Sequence, residues 1–148
     1  MAEYVYNPVQ VVLPNQPVIL DDSIPCNRGY VYHRNQSGNL ILRGITPNCF
    51  ARYQVTFNGN IAVPTDGTVG PIAVALAIDG EPILTSKAIV TPAAVDEYFN
   101  VTSTAIITVP KGCCFSISVE NVSEGATAAD TPTAINVQNA NLVVNRIA

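Results

Sequence analysis

Ile72-Ala73-Val74-Ala75-Leu76-Ala77-Ile78, followed by Asp79-Gly80-Glu81-Pro82, decides how the rest of the chain is read. Large and small apolar residues alternate with the period of a β-strand, and Asp-Gly accepts the positive φ of a tight hairpin turn. The second face of this strand is alanine where a solvated strand would be polar, so it suits packing against another surface.

The same period recurs on both sides. Ala51, Tyr53, Val55 and Phe57 alternate with Arg52, Gln54 and Thr56, and Phe115, Ile117 and Val119 alternate with Ser116, Ser118 and Glu120. Further strand-like runs are Val9–Leu13, Pro17–Leu20, Tyr30–Arg34, Asn39–Arg43, Tyr98–Val109 and Ile135–Ile147. Asn58-Gly59, Asp66-Gly67, Ser37-Gly38 and Lys111-Gly112 supply turn signals between runs. Thr91-Pro92 followed by Ala93–Tyr98 is the one stretch that invites helix, of one or two turns. Ser123–Thr133 reads as a mobile loop. Roughly nine or ten short strands with regular turns predict an all-β, antiparallel β-sandwich or jelly roll.

Two segments are expected. Residues 1–20 contain Pro8, Pro14 and Pro17, and read as an N-terminal arm that anchors to a partner, or as an edge strand. Residues 21–148 form the jelly-roll domain.

Composition narrows the function. The 148 residues are one domain's worth, 48% hydrophobic and only 12% charged, with net charge −4. Disorder and nucleic-acid binding through bulk positive charge are excluded. No apolar run is long enough for a transmembrane helix, and Met1-Ala2-Glu3-Tyr4 lacks a basic n-region, so synthesis in a cytoplasm is expected. So few charges on a small domain point to self-association. What charge there is divides by sign: residues 23–65 hold Arg28, Arg34, Arg43 and Arg52 without an acid and stand at +4, the remainder at −8. That asymmetry fits either a steering patch or four arginines on one solvated sheet face.

Catalytic chemistry is thin. His33 is the single histidine and sits in an alternating strand, so a strand side chain is its simplest role. Asp21-Asp22, Asp79/Glu81 and Asp96-Glu97 read as turn carboxylates, and none has calcium-loop spacing. Cys26, Cys49, Cys113 and Cys114 show no metal-ligand spacing. Strand phase turns Cys113 inward and Cys114 outward, and a Cys26–Cys49 bridge stays open to an oxidising compartment. Sequons at Asn35, Asn100 and Asn121 are of the number chance supplies. No catalytic, cofactor-binding or metal-ligating residue is assigned, no cofactor is expected, and the chain is not expected to be an enzyme.

Ile72–Asp79 with its Asp79-Gly80-Glu81-Pro82 turn, Ile106–Gly112 with the strand after it, and the closing Ala140–Val144 resemble bacterial proteins with the tumour-necrosis-factor (TNF)/C1q-like jelly roll. That resemblance implies a homotrimer in which each subunit gives one sheet to a shared apolar axis. The Ala73/Ala75/Ala77 face and the Val143/Ile147 face are the candidates for it. Asn58–Ala88 and Thr91–Asn100 are further similar to small virion proteins of phages infecting gut Firmicutes, which are head-fibre or capsid decoration proteins. On that resemblance the chain is expected on a bacteriophage capsid surface as a structural protein, held to the major capsid protein by its N-terminal arm. The alternative is a receptor- or carbohydrate-binding fibre tip touching host-surface glycans, for which Tyr4, Tyr6, Tyr30, Tyr32, Tyr53 and Tyr98 are available. No nucleic-acid or membrane partner is expected.

Overall fold

The computed structural model describes residues 1–124 and 133–148; residues 125–132, most of the expected Ser123–Thr133 loop, lie outside the described residues. Two antiparallel sheets stack face to face. Sheet I contains β1 (Ala2–Tyr6), β2 (Gln10–Val12), β3 (Asp21–Ile24), β6 (Phe50–Ala62), β10 (Phe99–Pro110) and β12 (Ile135–Arg146). Its order is β10-β6-β12-β1-β3, and β2 pairs with the first residues of β12. Sheet II contains β4 (Val31–His33), β5 (Leu40–Arg43), β7 (Ile72–Ile78), β8 (Glu81–Pro82), β9 (Ala88–Val90) and β11 (Cys114–Asn121). Its order is β4-β5-β11-β7-β8, with β9 also beside β7.

The alternation read from the sequence supplies the core. Tyr53, Phe57, Leu142 and Ile107 face inward from sheet I and meet Leu40, Leu42, Leu76 and Ile117 from sheet II. Tyr53 also ties the sheets together, its hydroxyl donating to the Arg43 carbonyl at 2.6 Å. Asp79 and Gly80, at φ 50° and 84°, make the expected turn between β7 and β8. The Asp79 Oδ1 accepts the Ser116 N–H at 2.9 Å and fixes that turn to β11.

Four expectations need correction. Of the two readings of residues 1–20, the edge strand holds for β2, which pairs β12 alone, while a separable arm does not: β1 lies between β12 and β3, and Ala2, Tyr4, Val12, Val18 and Leu20 are all buried. The prolines break the segment into short pieces, but β12 is long enough to pair β1 along Ala140–Val144 and β2 along Ile135–Val137. Asn58-Gly59 is not a turn but the middle of β6, where both neighbouring strands continue past it. Gly59 is needed there for space, since a Cβ would stand 2.9 Å from the Phe57 ring. Residues 93–96 form bends and a turn instead of helix, with the Glu97 carboxylate accepting the N–H groups of Ala93 and Ala94. A single 3-10 turn at Leu84–Ser86 is the one helical element among the described residues.

The last correction concerns the alanine face. Ala73, Ala75 and Ala77 are at most 2% exposed within the single subunit. Their cross-strand neighbours Ile89, Glu120, Ser118 and Pro82 stand on the same face and overtop the methyl groups. This surface is closed before any second copy arrives.

Candidate functional site

The outer face of sheet I is the other candidate, and it is open. Its register sets four cross-strand rows: Ile106–Gln54–Asn145, Thr104–Thr56–Val143–Glu3, Thr102–Asn58–Asn141–Val5 and Asn100–Asn60–Gln138. Charge on this face lies toward its margins: Glu3, whose carboxylate accepts the Asn141 amide at 2.6 Å, Asp21 opposite Val5 on β3, and Arg52 opposite Thr108. Ile106 is 64% exposed, and Ile147 past the end of β12 is 47% exposed. Val143 and Val5, in the next two rows, are half-buried.

The amides at the other end of this face bond to one another. The Asn100 Nδ2 donates to the side-chain oxygens of Asn58 (2.8 Å) and Asn60 (3.1 Å). Asn60 donates to Asn139 at 3.1 Å, and Asn139 to Asn7. Asn139 reaches the chain because β12 bulges between Gln138 and Asn141, where Asn139 takes a φ of 56°. Asparagine is among the few non-glycine residues that tolerate this conformation. The trace of this network in the sequence is asparagine at alternate positions 58 and 60 of one strand, with Asn100 in another.

Residues singled out for catalysis do not converge. His33 is buried between the sheets with its ring 4.6 Å from that of Tyr4. Its Nδ1 faces the Asp22 carboxylate and its Nε2 lies 2.8 Å from the Ser37 carbonyl, so neither nitrogen is free to activate a hydroxyl or thiol. Burial and the nearby Asp22 and Cys26 charges push the Tyr4 hydroxyl up to about 12, so it stays neutral. Asp96 accepts the Thr65 hydroxyl at 2.6 Å, and with Asp79 and Glu97 it serves local turns. No cluster of metal-ligating side chains occurs among the described residues.

All four cysteines are free. Cys113 is exposed rather than inward, because it belongs to the turn before β11 and strand phase does not extend to it. Cys26 lines an open recess of about 660 Å³ with Ile24, Arg28, Tyr30, Arg146 and Ile147. Burial pushes its thiol up, but the Arg28, Val31 and Tyr30 backbone N–H groups outweigh that and leave it below the usual value. Among the described residues, no histidine or carboxylate side chain lines this recess.

The arginines do not share a sheet face. Arg43 ends β5 in sheet II, and Arg52 lies on sheet I over the Phe50 ring. The tyrosines also scatter. Tyr4 and Tyr53 are core, while Tyr32 and Tyr98 are exposed on separate elements. Asn121 is fully buried and donates to the Val12 and Thr133 carbonyls, which closes that sequon to modification.

No protein-family model and no curated protein matches the chain. Among solved structures it is similar to the globular domain of zebrafish complement 1qA protein, at 14% identity and a TM-score of 0.59, covering 100% of this chain and 98% of that one. A second similar structure is the EclA C-terminal domain, a sugar-binding protein, at 15% identity and a TM-score of 0.43, covering 95% of this chain and 79% of that one. The fold is therefore an all-β jelly roll of the TNF/C1q-like type.

Proposed function

We propose that this chain is a non-enzymatic structural module that works as a homotrimer closed on the outer face of sheet I, and that it decorates a phage capsid as a head-fibre or decoration protein. The observation that carries the reading is the absence of charge from the centre of that face, around Gln54, Thr56, Asn58 and Asn141, together with exposed Ile106 and Ile147 and half-buried Val143. Like charges brought together at an interface cost several kcal/mol, roughly, so a face whose centre lacks them can meet its own copy. Covering it also removes apolar surface that would otherwise invite aggregation.

The virion setting is supported by the resemblance of residues 58–88 and 91–100 to small phage virion proteins. Attachment to the major capsid protein is assigned to residues 1–20, but to a surface rather than a loose tail. Val9, Val11, Leu13 and Ile19 are exposed at the margin of sheet I. The Gln10 side chain holds that surface together, bonding both the N–H (2.8 Å) and the carbonyl (2.9 Å) of Ile19.

Two experiments test the proposal. Sedimentation of the purified chain should return three times 15.7 kDa at micromolar concentration, and a stable monomer contradicts it. Val11→Asp with Leu13→Asp should abolish binding to capsids and leave the trimer intact. Undiminished binding contradicts the capsid role of this surface, and a specific response on a glycan array would favour a fibre-tip function instead.

A further inference from the structure

We propose that the amide chain Asn7–Asn139–Asn60–Asn100–Asn58 sets the number and rotational setting of the copies that meet on sheet I, its partner being the same amides of the neighbouring subunits. The inference rests on the trimer reading above.

Apolar contacts alone do not specify an assembly. Burial of Ile106 and Val143 is non-directional, so several packing angles and copy numbers would gain similar free energy. An amide is different, because it carries two N–H donors and a carbonyl acceptor with fixed directions. Among the described residues of one subunit, more than half of these amide N–H groups take no partner. Each one buried without a partner costs about 1–3 kcal/mol. A trimer that pairs them is therefore favoured over any arrangement that strands them. A single buried asparagine fixes register and oligomer order in coiled coils by the same logic.

Two details of the subunit fit this role. The amides are uncharged, so self-association does not bring like charges together. They are also held in place before assembly: Asn60 and Asn100 stand opposite each other on neighbouring strands, and the β12 bulge delivers Asn139 to the chain. Preorganisation of this kind reduces the ordering cost of docking.

The test compares the wild-type protein with Asn60→Ala/Asn100→Ala by native mass spectrometry. Both side chains lie on the outer face of sheet I, outside the core, so the variant should keep the wild-type circular dichroism spectrum. The wild type should give one species of three times 15.7 kDa, and the variant two or more oligomer orders. A variant that stays a single trimer with an unchanged dissociation constant overturns the inference and leaves the trimer reading standing. A monomeric wild type overturns both. Independently, side-chain amide exchange at Asn58, whose N–H groups take no partner among the described residues of one subunit, should be about tenfold slower in the wild-type oligomer than at exposed Asn48. Equal rates overturn the inference.

Discussion

The outer faces of the two sheets were equivalent candidates for a contact with other copies, and they differ in what stands beside their small residues. On sheet II, the alanines of β7 are flanked by Ser118, Glu120, Pro82 and Ile89, which close over them inside one subunit. On sheet I, Thr56, Val143 and Gln54 sit among side chains of similar height, and Ile106 stands clear of them. A lack of charge on a strand face therefore has two physical meanings. It marks either a surface that neighbours in the same chain cover, or one that waits for another chain.

The difference can be broken most severely at β1. Deleting residues 1–6 removes an interior strand of sheet I together with buried Ala2 and Tyr4, and leaves β3 without its partner. The loss should exceed the stability of the whole domain, roughly 5–15 kcal/mol, and abolish the cooperative thermal transition. A truncated protein that still melts cooperatively would restore the separable-arm reading.

Val143→Arg probes the open face. It would gather guanidinium groups where the subunits meet, and should weaken assembly by about 100-fold or more while each subunit stays folded. Analytical ultracentrifugation reads this directly. Unchanged assembly would place the contact elsewhere.

Ala75→Leu probes the closed face. The added volume has no space beneath Glu120, so chemical denaturation should show a loss of about 1–3 kcal/mol with no change in oligomer order. A stability-neutral variant that dissociates would reverse the assignment of the two faces.

The smallest effect is expected at Glu120, which is 7% exposed. Burial holds its carboxyl above the usual carboxylate range and nearby Glu81 adds to this, against the Ser118 hydroxyl bond that lowers it. The folded state thus holds this proton to higher pH than the unfolded chain. Its contribution is most favourable below the unfolded value and is lost as pH rises through the folded one. Glu120→Gln should raise stability at pH 7 by about 1 kcal/mol, or about 2–4 °C in Tm, with little gain at pH 4. An equal gain at both pH values would rule out ionisation as the cause.

The sandwich was legible wherever a strand is long and alternates, as in Ala51–Phe57, Ile72–Ile78 and Phe115–Val119. It was illegible where pairing overrides local signals. β1 has five residues and precedes three prolines, so nothing local reveals that β12 takes it as an interior neighbour. Asn58-Gly59 carries hairpin chemistry, yet two flanking strands hold it extended. Val143 and Ile147 were visible as apolar residues on the open face. The amide chain was not, because Asn7, Asn60, Asn100 and Asn139 come together only through the register of three strands and a bulge that brings Asn139 within reach of Asn7.

Everything proposed for this chain turns on whether the outer face of sheet I, uncharged at its centre, meets its own copies. Sedimentation equilibrium of the wild-type chain beside Val143→Arg tests it most directly. The wild type should sediment at three times 15.7 kDa and the variant as a folded single subunit. A wild type that sediments as a single subunit across the micromolar range would contradict it.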